Sequence, residues 1–344
     1  MINAKIKRYI KALTDSKFGL NLPKAGLFNY VKQYIIPRSS VINPRLASPV
    51  LLSLLVTTRC NLRCSFCVAD SPAERSNTEM SADFVGKLLD LKISKGLLAV
   101  GLSGGEPLLN KEVFEIIRII KKRKLRCGII TNGTLIEENT NKLITAGLDE
   151  IQLSVYDNTI EKLKSVIPAA SKKLTINASY VLLKSALEKD RLKPEKIIGF
   201  CKEIGCKSVK FNICQPYKGD MGETIFDDFE PYKAFVAENK FKNYGIDVFY
   251  PAPVKRVITG VKEKRCLIPW QQMLVNANGE YTMCCDFYGR NKDISMRGNI
   301  FNGDTGNIPR LIEIRKKLLS NSAEVFEYCK CCPMLSGKAF ASRL

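Results

Sequence analysis

Histidine is absent from the 344 residues of this chain. Its absence excludes the Ser-His-Asp triad, the Cys-His dyad, the HExxH zinc helix and an imidazole general base. Any metal site is therefore most simply built from thiolate or carboxylate ligands.

Long apolar runs are also lacking, since no stretch of about 18 uninterrupted apolar residues occurs and a spanning helix is not expected. The N-terminal segment, Met1 to Arg8, has neither the apolar core nor the small-residue cleavage site of a secretory signal. We therefore expect a cytoplasmic chain with reduced thiols. The chain has 13 cysteines, and in that compartment they indicate metal binding or catalysis rather than disulfides.

Basic residues outnumber acidic ones by 54 to 34, which gives a formal charge of +20. Residues 1–50 supply +8 of this excess, because nine basic side chains stand there against Asp15 alone. Apolar residues at helical spacing in the same segment predict a basic amphipathic helix. Two interpretations stay open: peripheral membrane contact through residues 1–45, or a helical extension that lies on the main domain with its charges solvated.

From residue 51 onward, short β-type runs alternate with helix-type segments, which predicts an α/β fold. Six strand-helix repeats predict a parallel sheet with right-handed crossovers, curled into a partial (βα)6 barrel. In that geometry, functional groups lie at the carboxyl ends of the strands. The predicted strands are Leu51–Thr58, Ala99–Ser103, Arg126–Thr131, Glu150–Tyr156, Leu174–Leu182 and Ser208–Cys214, and the predicted helices include Ser81–Lys92, Lys111–Lys124, Glu137–Ala146 and Pro194–Ile204.

The pattern changes beyond Pro216, where the segment 217–253 is rich in loops and aromatic residues. A hairpin is predicted over Met273–Cys285, with its turn at Asn278-Gly279. We expect three parts: a basic helical extension over 1–50, the partial barrel over 51–254, and a small α+β domain that bears cysteines over 255–344.

Three cysteines, Cys60, Cys64 and Cys67, follow the first predicted strand at CxxxCxxC spacing. Three close thiolates can ligate three irons of a [4Fe-4S] cube and leave the fourth iron open to an outside ligand. A structural zinc site would need a fourth local ligand, and none follows nearby. A three-cysteine zinc or redox loop is the alternative.

This cysteine spacing resembles the signature of the radical S-adenosylmethionine (SAM) superfamily. The second strand ends in Ser103-Gly104-Gly105-Glu106-Pro107, which is similar to the GGE motif of that superfamily. The resemblance covers about residues 50 to 335. It implies that SAM chelates the open iron and that reduction, by flavodoxin or ferredoxin, yields a 5′-deoxyadenosyl radical that abstracts hydrogen from substrate.

The resemblance also implies a set of residues that hold SAM. Gly104 and Gly105 would let backbone approach the methionyl end, Glu106 would lie beside the ammonium, and the main chain of Phe66 would meet the adenine. Asn132 follows the third predicted strand and Ser154 lies on the fourth, and each would be placed to contact the ribose or the carboxylate of SAM. An Asn-Gly turn is the equally weighted alternative for Asn132.

A second set of cysteines lies near the C-terminus and resembles the four-ligand auxiliary [4Fe-4S] cluster of the "twitch" domain, a shortened form of SPASM. Cys285 and Cys331 are adjacent alternatives within two pairs, and a four-cysteine zinc site is the competing interpretation. The four predicted ligands are Cys266, Cys284, Cys329 and Cys332.

Cys214 belongs to neither set and ends the sixth predicted strand. It resembles the thiol that returns hydrogen in radical epimerases, whereas the alternative is a small buried hydrophobe. Without such a donor, loss of a proton and an electron would make the enzyme a dehydrogenase.

The resemblance favours a carbohydrate or polyol substrate, and a peptide or protein is the alternative. A basic zinc protein that binds nucleic acid is the alternative of another class, because the charge is +20. We expect no nucleic-acid partner, since no motif joins stacked aromatic and basic residues.

Overall fold

The structure is a computed structural model that describes residues 48–67, 77–156, 159–188, 194–214, 222–251, 253, 268–284, 298–303 and 307–319. The extension predicted over 1–50 lies almost wholly outside the described residues. No described helix combines the length and the apolar character that crossing a bilayer requires.

Seven parallel strands form the main part of one sheet, and neighbours in the sequence are neighbours in the sheet. This arrangement confirms the predicted α/β fold with a parallel sheet. The strands are β1 Leu51–Thr57, β2 Ala99–Gly104, β3 Arg126–Thr131, β4 Glu150–Ser154, β5 Thr175–Leu182, β6 Ser208–Ile213 and β7 Asp247–Phe249.

Helices connect the strands and cover the sheet. In α2, for example, Val113, Ile116, Ile117 and Ile120 are buried, the spacing that places apolar side chains on one helical face. The described α-helices are α1 Ala82–Asp90, α2 Val113–Lys122, α3 Ile136–Ala146, α4 Ile160–Ala170, α5 Lys184–Glu188, α6 Pro194–Glu203, α7 Glu230–Asn239, α8 Ile268–Gln271 and α9 Pro309–Leu319.

The segment 217–253, predicted as rich in loops, contains α7 and β7. Strand β7 has three residues and pairs with β6 from Ser208↔Asp247 onward. Some aromatic residues of this segment lie in or against the core, since Phe235 and Tyr250 pack against Phe211 of β6, whereas Phe241 is exposed. The prediction of a segment rich in loops therefore missed a helix and an added strand.

The predicted hairpin is present as β8 Gln272–Asn276 and β9 Glu280–Thr282, and β10 Gly298–Asn299 pairs with β9. The turn lies at Asn278-Gly279, where Gly279 has a φ of +80° and donates its N–H to the carbonyl of Asn276. Strand β8 pairs in parallel with β1, from Leu51↔Gln272 to Leu55↔Asn276. The sheet therefore continues across the predicted boundary after residue 254, and the division into domains stays a prediction.

Candidate functional site

The segment from Thr58 to Cys67, here called the cysteine loop, leaves β1 at the carboxyl edge of the sheet. Cys60 is exposed, and Cys64 and Cys67 are half-buried. The loop is closed by a backbone hydrogen bond of 3.1 Å from Cys67 to the carbonyl of Cys64. All three thiols can therefore be reached from outside the protein.

The end of β2 fixes the start of the cysteine loop through backbone contacts. Gly105 N–H donates to the carbonyl of Thr57 at 2.8 Å, and Glu106 N–H donates to the carbonyl of Arg59 at 2.7 Å. A Cβ on Gly105 would lie 2.0 Å from the oxygen of Arg59. Gly104 has a φ of +125°, and a Cβ there would lie 2.3 Å from the oxygen of Thr57. Both glycines are thus required by the approach of the protein's own loop, a reason that the sequence did not reveal.

The carboxylate of Glu106 is fully buried and joins the end of β2 to the end of β3. It accepts hydrogen bonds from Leu108 N–H at 3.1 Å, from the Thr131 hydroxyl at 2.8 Å and from Asn132 N–H at 2.8 Å. Burial raises the pKa of Glu106, while these three donors act in the opposite direction. The structure therefore gives Glu106 a role inside the protein, and its predicted contact with a ligand ammonium stays a prediction.

Asn132 shapes a turn after β3 and also touches the cysteine loop. Its Oδ1 accepts from Thr134 N–H at 3.0 Å, and Gly133 follows with a φ of +79°. Its Nδ2 donates to Asn61 Oδ1 at 2.9 Å and to Cys60 Sγ at 3.9 Å. The turn-forming interpretation of Asn132 therefore has a geometric basis, and a contact with a cysteine accompanies it.

The end of β4 contacts the far half of the cysteine loop through Tyr156, which the sequence analysis missed. The phenol of Tyr156 lies close to the side chains of Ser154 and Cys64. The Tyr156 ring stacks on Phe66, with the ring centroids 6.2 Å apart. Burial, followed by the nearby Cys64 thiol, raises the pKa of Tyr156. One sequence signal could have drawn attention to this residue, because it is a polar side chain at the carboxyl end of the predicted strand Glu150–Tyr156.

Three successive strand ends therefore hold successive parts of the cysteine loop. The segment after β2 holds Arg59, the turn after β3 holds Cys60 and Asn61, and Tyr156, just beyond β4, stacks on Phe66. Thiolates are the ligands of iron-sulfur clusters, so the donor set fits such a group. Among the described residues, no three Cys, Asp, Glu or His side chains converge on one point as metal ligands. Ligation by Cys60, Cys64 and Cys67 accordingly stays a prediction.

Cys214 follows β6 at the same edge and is buried, with 3% of its surface exposed. Its N–H donates to the carbonyl of Leu182 at 3.3 Å. Burial raises the pKa of Cys214, and the nearby carboxylate of Glu223 acts in the same direction. Both effects keep the sulfur protonated at neutral pH.

The predicted auxiliary site is described only at Cys284, which is half-buried just beyond β9. The other cysteines of this set fall outside the described residues: Cys266, Cys285, Cys329, Cys331 and Cys332.

The cysteine loop and the strands around it fall within a match to one known protein family. Residues 54–189 match the family described as the radical SAM superfamily. The match begins within β1 and ends just beyond α5, so it includes every contact described above for the cysteine loop.

Curated relatives carry two kinds of name. A probable GTP 3′,8-cyclase of Methanococcus maripaludis is 34% identical over 40% of this chain and 43% of its own length. A GTP 3′,8-cyclase of Aliarcobacter butzleri is 27% identical over 79% of this chain and 90% of its own. A PqqA peptide cyclase of Granulibacter bethesdensis is 34% identical over 37% of this chain and 35% of its own. The first of these alignments spans less than half of the relative.

A similar solved structure is SuiB of Streptococcus suis, with a TM-score of 0.59 and 16% sequence identity. The alignment covers 90% of this chain and 78% of SuiB. At this identity the likeness shows the fold alone.

Proposed function

We propose that this chain, whose residues 54–189 match the radical SAM superfamily, cleaves SAM reductively and abstracts hydrogen from a substrate. The observation that carries the proposal is the set of contacts between the cysteine loop and the segments that follow β2, β3 and β4. This arrangement presents three reachable thiols at the carboxyl edge of a parallel sheet, where functional groups of such folds lie.

The proposed cofactors are a [4Fe-4S] cluster on Cys60, Cys64 and Cys67 together with SAM. When bound, they supply a 5′-deoxyadenosyl radical. Gly104 and Gly105 hold the loop at its start, and Glu106 fixes the distance between β2 and β3 from inside the protein. The loop would therefore keep its shape while the thiolates take up iron.

A peptide is the substrate class that we propose. A relative at 34% identity is named PqqA peptide cyclase, and SuiB has been crystallised bound to its precursor peptide SuiA. A nucleotide is the second candidate, because the relative named GTP 3′,8-cyclase aligns with 79% of this chain. The carbohydrate expected from the sequence draws no support from these names, and it enters the test as the third class.

Anaerobic reconstitution with iron and sulfide tests the proposal. The wild-type chain should bind about eight irons if both clusters form, absorb near 400 nm, and release 5′-deoxyadenosine from SAM when dithionite is added. A panel of peptides, nucleotides and sugars should then show which class accelerates this release. A colourless protein that binds zinc and RNA would instead support the alternative of another class.

Cys64→Ala is expected to abolish the formation of 5′-deoxyadenosine, because the cluster would lose one of three ligands. Cys127→Ala is the matched control, since Cys127 is a buried residue near the start of β3, at the opposite edge of the sheet. If Cys64→Ala cleaves SAM at the wild-type rate, the cysteine loop does not hold the cluster.

We also propose an auxiliary cluster that includes Cys284, with Cys266, Cys329 and Cys332 as the other ligands. Cys284→Ala should reduce the iron content to about half and impair turnover more than SAM cleavage. An unchanged iron content would remove Cys284 from the ligand set.

Epimerisation is the outcome that Cys214 favours, because its buried sulfur is kept in the S–H form by the raised pKa. Cys214 would give a hydrogen atom to the substrate radical, and its sulfur radical would then take up one electron from the low-potential reductant and one proton from solvent. Cys214→Ala should stop the entry of solvent deuterium into product, whereas Cys206→Ala, at the other end of β6, should not. Deuterium that still enters product would favour dehydrogenation.

A further inference from the structure

We infer that Lys210, on β6, binds a carboxylate of the substrate. This inference deepens the proposed function and rests on it, because the peptide proposed there would supply the carboxylate. It assigns a substrate-binding residue to a strand that lies beyond the match to the radical SAM superfamily, which ends at residue 189.

The two faces of the parallel sheet differ in character. In β2 to β6, buried side chains alternate with half-buried ones, and the buried set, such as Leu102 and Leu153, belongs to the hydrophobic core. Parallel sheets usually carry apolar side chains on both faces. The second face, here called the polar face, departs from this rule, as is expected where a protein binds a ligand. Its side chains include Arg126, Glu150, Asn177, Ser179, Ser208 and Lys210.

At the amino end of the polar face, hydrogen bonds join side chains from four neighbouring strands. Arg126 of β3 pairs with Glu150 of β4. Asn177 of β5 donates from Nδ2 to Glu150 Oε1 at 2.7 Å, and its Oδ1 accepts from the Ser208 hydroxyl of β6 at 2.7 Å. The two charges of this layer are thus used within the protein, so a charged ligand of the polar face would lie nearer the carboxyl edge.

Lys210 lies one step nearer that edge. It follows Ser208 by two residues on the same face of β6, a rise of about 7 Å. It pairs in register with Ser179 of β5, which pairs with Ser154 of β4. Two strand spacings, about 10 Å, therefore separate Lys210 from Ser154. A ligand held by Lys210 would lie beside a residue that the sequence predicts to contact SAM.

The charge of the polar face favours a carboxylate over a phosphate chain. Among the described residues of β1 to β6, the basic side chains on this face are Arg126 and Lys210, and Arg126 already pairs with Glu150. The compact ammonium of one lysine matches the single charge of a carboxylate, and the neighbouring Ser179 hydroxyl can supply a second donor. A triphosphate carries several charges and would call for more cations.

Two capped, alanine-rich peptides test the inference, one with a single glutamate and one with glutamine in its place. Their binding to the reconstituted full chain would be measured by calorimetry with SAM present. We expect the glutamate peptide to bind about tenfold more tightly, the effect of one hydrogen bond to a charged group. Equal affinities, or no binding of either peptide, would overturn the inference.

Lys210→Met removes the charge and retains an unbranched side chain, and it should abolish the difference between the two peptides. Lys210→Arg retains the charge and should preserve the difference. Lys207→Met is the matched control, because Lys207 is an exposed lysine just before the same strand, at the amino edge. It should bind both peptides as the wild type does. A preference for glutamate that persists in Lys210→Met would contradict the inference.

Inorganic tripolyphosphate separates the second ligand chemistry. If its binding depends on Lys210 while the two peptides bind equally, the residue serves a phosphate, and the assignment to a carboxylate is wrong. Tripolyphosphate that binds Lys210→Met as tightly as it binds the wild type would instead support the carboxylate.

Failures of the two proposals are distinguishable, because peptide binding is measured without turnover. A chain that prefers the glutamate peptide through Lys210 but releases no 5′-deoxyadenosine would overturn the proposed function. A chain that cleaves SAM but does not distinguish the peptides would overturn the inference alone. With an acidic peptide that accelerates SAM cleavage, Lys210→Met should raise KM about tenfold and leave kcat within about twofold.

Discussion

The two edges of the parallel sheet use the same strands in different ways. At the carboxyl edge, thiols, an amide and a buried carboxylate lie against closely approaching backbone, as at Gly105 and Glu106. At the amino edge, charged side chains are exposed or form ion pairs, such as Lys121 with Asp149 at 2.5 Å. This contrast indicates that the candidate site is built from side chains at the carboxyl ends of the strands and not from the strand interiors.

The amino edge also shows that the basic excess is not confined to residues 1–50. Exposed lysines stand in or beside the turns before β2, β3, β5 and β6, and none of them forms an ion pair within the described residues. This distribution fits a solvated surface, because long lysine side chains keep their charged ends in water. These residues are Lys95, Lys122, Lys124, Lys172, Lys173 and Lys207.

Gly105→Ala should cause the largest loss of stability among these variants, and Gly101→Ala in β2 is its matched control. A Cβ at Gly105 would meet backbone at 2.0 Å, whereas at Gly101 nothing lies within 4 Å. We expect Gly105→Ala to lower the free energy of unfolding by about 3 kcal/mol and to reduce iron loading, and Gly101→Ala to change it by about 0.5 kcal/mol at most. Urea denaturation and iron analysis measure both effects. Similar losses in the two variants would mean that the loop does not press on the end of β2.

Glu106→Gln and Glu150→Gln should differ less in their effect on the free energy of unfolding. The amide of glutamine would place an N–H against one of the three donors that face Glu106, a cost of about 1–3 kcal/mol in unfolding free energy. Glu150 begins β4 at the amino edge, is one-quarter exposed and pairs with Arg126, so its loss should cost under about 1 kcal/mol. Denaturant midpoints at pH 7 would measure both. The contrast between the edges fails if Glu150→Gln costs more than Glu106→Gln.

Substituting lysines of the amino edge should change the protein least. Lys122→Gln and Lys207→Gln together should alter the free energy of unfolding by less than about 0.5 kcal/mol, because both side chains are exposed. Iron loading and the release of 5′-deoxyadenosine should equal those of the wild type. A loss of either would show that the amino edge takes part in the site.

Much of the sheet was predictable from local pattern. The prediction for β3, Arg126–Thr131, has the observed bounds, because alternating burial and a following Asn-Gly turn define both ends. Strand β7 was missed, since three residues hold too little pattern. Helix α4 agrees with the predicted alternation of strands and helices, although its bounds were not named from the sequence, where Pro168 lies in its last turn.

The candidate site was predictable only where a motif marks it. The spacing of Cys60, Cys64 and Cys67 and the pair of glycines at the end of β2 are visible in the sequence. The stacking of Tyr156 on Phe66 is not visible there, because it joins two segments that only the assembled strands bring together. For the same reason, Asn132 looks like a turn residue in the sequence and also touches Cys60 in space.

The pairing of β8 with β1 bears on the order in which the protein is assembled. One neighbour of β1 is β2, close in sequence, but the other is formed by Gln272 to Asn276, far along the chain. A nascent chain that stops before residue 268 would therefore present the strand that precedes the cysteine loop with an open edge, a template for pairing with other chains. Contacts between distant segments form slowly. We therefore expect iron insertion in the cell to follow synthesis of the hairpin, so that the newly made protein receives its cluster only on a completed sheet.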